Sequence, residues 1–184
     1  MKIKRKKSKT HQSMQQLYDA LASQGLSEMN MLVMAIANLK EEASSRSLNF
    51  LLGNFSATKR RVEYVKQSLQ SSAGSFQKEH FSSVGFQREW IALLERTSKG
   101  PVRDAAMIAW LQKILHSHMA SCRMLSILAK ALERVEEKEL FEGFVAQALD
   151  ADSQLSDAAD NTINFDAALD ENRNLVREYY NPNL

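Results

Sequence analysis

Apolar residues return at helical spacing along nearly the whole chain, and very little interrupts them. From Leu17 to Leu39, the residues Tyr18, Leu21, Leu32, Ile36 and Leu39 share a stripe, with Gly25 and Met29 at its intermediate positions. That recurrence is the mark of an amphipathic helix, and Gly25 is a candidate kink. A second stripe passes through Leu48, Leu51, Phe55, Val62, Val65 and Leu69, the stem of Thr58 or Lys59 bridging its gap, until Ser71-Ser72-Ala73-Gly74 ends it. Only 6 Gly and 2 Pro occur in 184 residues, too few for the many tight turns of a sandwich or barrel of short strands. The expected class is all-α.

Residues Ser75 to Ser83 lack periodicity, whereas Phe86, Trp90, Leu93 and Leu94 line one face of a short helix that stops at Ser98-Lys99-Gly100. This segment is predicted to be a crossover connection carrying its own short helix. Pro101 stands where a first helical turn tolerates it, having no amide hydrogen to lose. Asp104 puts negative charge near the amide-rich end of a third long helix that runs to about Leu132. A fourth, roughly Glu136 to Ile163, carries Phe141, Phe144, Ala148, Leu155, Ala159 and Thr162, and beyond Phe165 a short helical tail holds Leu169, Leu175 and Tyr179. Four long helices with one crossover between the second and third is ferritin-like four-helix bundle connectivity. Periodicity by itself fits any helical bundle.

With 44% hydrophobic content the chain can bury one sizeable core, and one domain is expected. Cys122 is the single cysteine, which excludes an intramolecular disulfide and points to a reducing, cytoplasmic compartment. The net charge of +2 is unevenly spread: Lys2, Lys4, Arg5, Lys6, Lys7 and Lys9 crowd the start, while the rest is slightly acidic. Thr10, His11, Gln12 and Ser13 follow where a secretory signal would be apolar, and no window approaches the roughly 20 apolar residues of a membrane span. A soluble protein without a membrane partner is expected, divided into a flexible basic arm (1–12), a bundle (13–165) and a C-terminal helical tail (166–184). Such an arm can hold nucleic acid nonspecifically by releasing counterions from phosphates. Lys59-Arg60-Arg61 would extend that patch only in part, because three consecutive helical residues cannot share a face.

The run Val102-Arg103-Asp104-Ala105-Ala106-Met107-Ile108-Ala109, then Gln112-Lys113, His116, Ala120-Ser121 and Leu125 to Ala129, resembles the third bundle helix of the YciF-like family. The likeness continues through Leu149-Asp150 and Leu155-Ser156-Asp157 to Asn164, and back through Leu17-Tyr18, Leu32, Ala35-Ile36 and Leu39. The resemblance implies a ferritin-like bundle, commonly a homodimer, in a family associated with bacterial stress responses. A fold does not carry its chemistry with it, so the site is tested residue by residue.

A di-iron centre of this class takes a Glu from each of two helices and acid-containing pairs at i, i+3 from the other two. The resemblance puts Met29 at the inward acid of the first helix; Glu28 is next door, rotated by about 100° and so expected to aim away from the axis. The acids that precede a Thr in the family's second helix are absent from Phe55-Ser56-Ala57-Thr58. Its Glu-His-x-Glu reads Leu115-His116-Ser117-His118 here, and two adjacent acids of the fourth helix read Ala151-Asp152. Residual metal candidates are therefore His118, Asp152 and Glu28, with His116 pointing about 200° away from His118.

An apolar centre avoids the desolvation cost of buried carboxylates, Cys122 reads as packing, and no glycine-rich phosphate loop occurs. No catalytic residue, metal or cofactor is expected. The expectation is a non-enzymatic, stress-associated structural or interaction protein that has lost its di-iron centre. Residual metal binding and nucleic-acid association through the arm are the alternatives. Phe76, Phe81, Phe86 and Trp90 of the crossover, with Tyr179 and Tyr180, are candidates for a dimer or partner surface, or else for a cap on the open end of the bundle.

Overall fold

The structure, a computed structural model, describes residues 13–54, 81–164, 166–170 and 172. Among the described residues five helices follow in chain order: α1 (Met14–Glu42), α2 (Arg46–Asn54), α3 (Phe81–Arg96), α4 (Pro101–Ala131) and α5 (Val135–Ala158). A π-helical turn, Ala159–Ile163, continues α5, and residues 166–170 are helical. Among the described residues there is no strand, so the chain is an all-α bundle. Of the second predicted stripe only Arg46–Asn54 is described. The basic arm, Ala57, Lys59-Arg60-Arg61, Phe76, Leu175, Tyr179 and Tyr180 lie outside the described residues.

The Ser13 hydroxyl caps α1 by accepting the Gln16 amide at 3.2 Å. The helix then runs unbroken through Gly25. A Cβ at Gly25 would stand 3.0 Å from Leu125 Cδ1 on α4, so the glycine serves the close approach of two helices.

Asp104 does more than place charge on its own helix. It is 1% exposed, and its carboxylate reaches the α1–α2 turn, where it accepts the Ser44 amide at 3.0 Å, the Ser44 hydroxyl at 2.7 Å and the Ser45 amide at 2.6 Å. The side chain thus satisfies donors at the start of α2 from a neighbouring helix, a task usually met within the chain's own turn. Arg103, one residue earlier, pairs with Glu42 and with the Thr97 carbonyl, fastening α4 to the end of α1 and to α3.

Apolar packing forms two adjoining clusters. One gathers Leu39, Leu48, Leu52, Met107, Leu111 and Leu155; the other gathers Tyr18, Met29, Cys122, Leu125, Phe141 and Phe144. Trp90 is buried against Trp110, with ring centroids 4.9 Å apart, and the Trp110 indole donates to the Phe86 carbonyl at 3.3 Å. The proposed aromatic surface is corrected for Trp90: α3 turns its apolar face onto α4, which takes Trp90 into the core and packs the partly buried Phe86 against it.

Between α4 and α5 the turn passes through Glu133 at φ 59°, and the Glu133 and Arg134 amides return to the Lys130 and Ala129 carbonyls at 3.1 and 2.9 Å. Arg134 pairs with Glu137 at 2.9 Å and lies 4.8 Å over the Tyr18 ring, while the Tyr18 hydroxyl donates to Glu137. Burial, then the Glu137 carboxylate, holds the Tyr18 phenol far above its ordinary range. No helix among the described residues is long and apolar enough to cross a membrane.

Candidate functional site at the bundle centre

Of the described sites where the resemblance places acids, three are filled with hydrocarbon, and His118 and Asp152 stand at two others. Met29 is 2% exposed and Leu115 3%, while Ala151 is buried in the cluster around Leu155. One inward acid remains, and it is the one expected to point away. Glu28 is 3% exposed and its carboxylate accepts the Ser121 hydroxyl of α4 at 2.6 Å and the Gln24 amide group at 3.1 Å. The reason is that α1 has neighbours on several sides, packing against α2, α3 and α4, and no residue from 17 to 33 is exposed. A rotation of about 100° from Met29 therefore moves a side chain from one neighbour to another, not into water.

His118 and Cys122 lie a turn apart on α4, both buried, with Sγ 3.6 Å from Nε2 and 3.8 Å from Nδ1. The imidazole also meets Phe144 edge-on, at a centroid distance of 6.1 Å. Burial lowers the His118 pKa below its usual value, against the opposing pull of Glu28, so the ring is neutral near pH 7. Burial and the Glu28 charge push the Cys122 thiol up to about 12. This thiol is a packed, protonated group and a poor nucleophile.

Asp152 belongs elsewhere. It accepts from His116 at 3.1 Å on the seam between α4 and α5, and Ser156 in the next turn accepts the Gln112 amide at 2.9 Å. The imidazole set aside by the 200° argument is thus the one that meets the candidate carboxylate, while His118 faces the α1 side of α4. Asp152 Oδ1 is buried with no hydrogen-bond partner among the described residues. The three residual candidates are split between two places, and among the described residues no group of three or more His, Cys, Asp or Glu is arranged to hold a metal ion.

A di-iron pair needs bridging carboxylates to offset the repulsion of two cations at about 3.5 to 4 Å. The described residues offer a single inward acid, already bonded to Ser121 and Gln24, so the donor set does not fit that centre. The Gln24–Glu28–Ser121 network and the reach of Asp104 went unread in the sequence. Gln24 and Glu28 at i, i+4 were the available signal for the first; nothing local marks Ser121 or Ser44 as their partners.

Comparison with known proteins agrees with this architecture. The family model described as Domain of unknown function (DUF892) matches residues 14–168. Protein YciF of Escherichia coli (strain K12) is 29% identical over 147 residues, 78% of this chain and 89% of that protein. The crystal structure of the E. coli stress protein YciF is similar with a TM-score of 0.75 at 26% identity, covering 84% of this chain and 99% of that one. YcfI from Rhodopseudomonas palustris has a TM-score of 0.68 at 21% identity, covering 81% of this chain and 96% of that one, a likeness of fold alone.

Proposed function

This chain belongs to the family described as Domain of unknown function (DUF892), the YciF-like family, and from that premise we propose that it is a non-enzymatic, stress-associated structural or interaction protein. In this reading it is a ferritin-like bundle without a di-iron centre, acting in the cytoplasm. The observation that carries the reading is the burial of Met29, Leu115 and Ala151 at ligand positions, with Glu28 tied to Ser121 and Gln24. Such a centre stabilises the bundle through apolar contact and has no need of a cation to neutralise its acids. Kinship with a protein named for stress supports the biological setting. The buried, protonated Cys122 supports the absence of thiol chemistry. The proposed division is an arm at 1–12, the bundle at 13–165 and a tail at 166–184.

Metal loading tests the reading. Untagged protein is incubated with ferrous iron, and separately with zinc, then desalted and measured by elemental analysis, with ferrous oxidation followed in parallel. The expected result is far less than one metal per chain and oxidation no faster than buffer. Two irons per chain, or a stoichiometric single metal that disappears in His118→Ala, would overturn it.

A further inference from the structure

The basic start of the chain joins the bundle beside one of its acidic edges. Lys2, Lys4, Arg5, Lys6, Lys7 and Lys9 all lie within residues 1–12, and Ser13, which follows, caps α1 with its hydroxyl. That junction sits next to the α4–α5 turn: Arg134 donates to Gln15 Oε1 at 3.1 Å, and the Tyr18 hydroxyl donates to Glu137. Around the turn Glu133, Glu136 and Glu139 are exposed at three-residue intervals. None of the three is in an ion pair among the described residues. The nearby cations answer to other acids: Arg134 pairs with Glu137, Lys138 pairs with Glu142, and the charge of Lys130 also bears on Glu142. The helix dipole accounts for Glu136, which lies in the first turn of α5. It does not account for Glu139 further along, nor for Glu133, an acid at φ 59° where glycine is the least strained residue.

We infer that this acidic ridge at the α4–α5 turn is the docking surface of the chain's own basic segment, residues 1–12. Charge complementarity and the length of the tether carry the argument. An extended chain covers about 3.3 to 3.6 Å per residue, so Lys9 reaches about 14 Å from Ser13 and Lys4 about 30 Å. Neighbouring helix axes stand about 8 to 10 Å apart, and Glu133 to Glu139 spans about 9 Å at the helical rise. The ridge is therefore within reach of most of the cations. Each exposed ion pair contributes little by itself, but a short tether holds the two surfaces at millimolar effective concentration, and several such pairs form without a second molecule. The other exposed acids of this helix and its π-helical turn, Asp150, Asp157 and Asp160, begin about 20 Å beyond Glu136, out of reach of Lys9. A polyanion that binds residues 1–12 must displace the ridge, so docking lowers the affinity of the segment for polyanions in general.

Paramagnetic broadening in the full chain tests the inference, with a nitroxide attached at Ser8→Cys and the native thiol removed by Cys122→Ala. The expected result at low salt is broadening of the backbone amides of residues 133–139, fading at 1 M salt, where screening shortens the reach of a charge to about 3 Å. Glu133→Gln, Glu136→Gln and Glu139→Gln together should remove most of that broadening. Asp150→Asn, Asp157→Asn and Asp160→Asn together change the net charge by the same amount and should leave it intact. Mixing nitroxide-bearing chains with separate isotope-labelled chains should give none. Carbodiimide cross-linking of the unaltered protein is the second measurement, expected to join lysines between Lys4 and Lys9 to Glu133, Glu136 or Glu139. On immobilised heparin the triple-Gln variant should elute at higher salt than the triple-Asn variant. Broadening spread evenly over the surface, equal losses in the two triple variants, broadening in the mixed sample, or cross-links gathered elsewhere overturns the docking; equal elution overturns the competition with polyanions. Metal content does not enter these measurements, so their failure leaves the reading of the bundle centre standing.

Discussion

Replacing Asp104 with Ala removes one acceptor group that serves three donors at once. Ser44 N, Ser44 Oγ and Ser45 N lie 3.0, 2.7 and 2.6 Å from the carboxylate oxygens, and the side chain is all but closed to solvent. A hydrogen bond to a charged group contributes about 1.5 to 3 kcal/mol net, so three such bonds set an upper bound well above 4 kcal/mol. Ser44 is exposed and Ser45 half-buried, which lets water take over part of the lost bonding. We therefore expect a loss of about 3 kcal/mol, and a fall in Tm of roughly 6 to 12 °C for a chain of this size. Asp104→Asn keeps the shape and one acceptor oxygen but turns an NH2 group toward a donor, and should cost about 2 kcal/mol. Urea unfolding followed by far-ultraviolet circular dichroism is the assay, read as a shift in midpoint at constant slope. A loss below about 1 kcal/mol for Asp104→Ala, or a neutral Asp104→Asn, would refute the view that this carboxylate caps α2 across the bundle.

Three further outcomes follow from the site and the charge distribution. Burial holds the folded His118 pKa below the unfolded value, near 6.5, so its contribution is complete above about pH 6.5 and is lost as pH falls toward the folded pKa, by up to about 1.4 kcal/mol per unit. Urea midpoints should drop between neutral and mildly acidic pH in the wild type and in His116→Gln, and drop less in His118→Gln; equal slopes in all three would be inconsistent with a buried neutral imidazole. Cys122, fully buried with its thiol near 12, should fail to react with a thiol-specific chromogenic disulfide at neutral pH until urea unfolds the chain. Rapid stoichiometric labelling of the native protein would contradict that. Deleting residues 1–12 should abolish any binding to duplex DNA, which in the full chain should carry a log–log salt slope near −4 to −5 for about five neutralised phosphates. Unchanged affinity after deletion removes the nucleic-acid reading.

What could be read from the residues was the set of helices. The stripe through Tyr18, Met29, Leu32, Ile36 and Leu39 is buried in α1, Pro101 opens α4, and α4 ends at Ala131, beside the expected Leu132. Met29, Leu115 and Ala151 were legible as apolar residues on helix faces, and all three are buried. Trp90 shows where that reading stops: its spacing announced a helix face, but nothing local said that α3 would turn the face inward onto Trp110.

Gly25 and Glu28 depended on the fold for their meaning. Helical periodicity reports which side of a segment is apolar; it does not report how many neighbours the segment will have. Because α1 is enclosed by several helices, the side next to its apolar stripe is interior as well, and Glu28 finds Ser121 there, 93 residues away along the chain. Asp104 reaches Ser44 across 60 residues and Tyr18 reaches Glu137 across 119. Sequence spacing determined the helices because backbone hydrogen bonds and side-chain periodicity are local. The partners of buried polar groups were decided by tertiary packing, since a desolvated carboxylate or phenol must bond to whatever donor or acceptor the assembled bundle brings within reach.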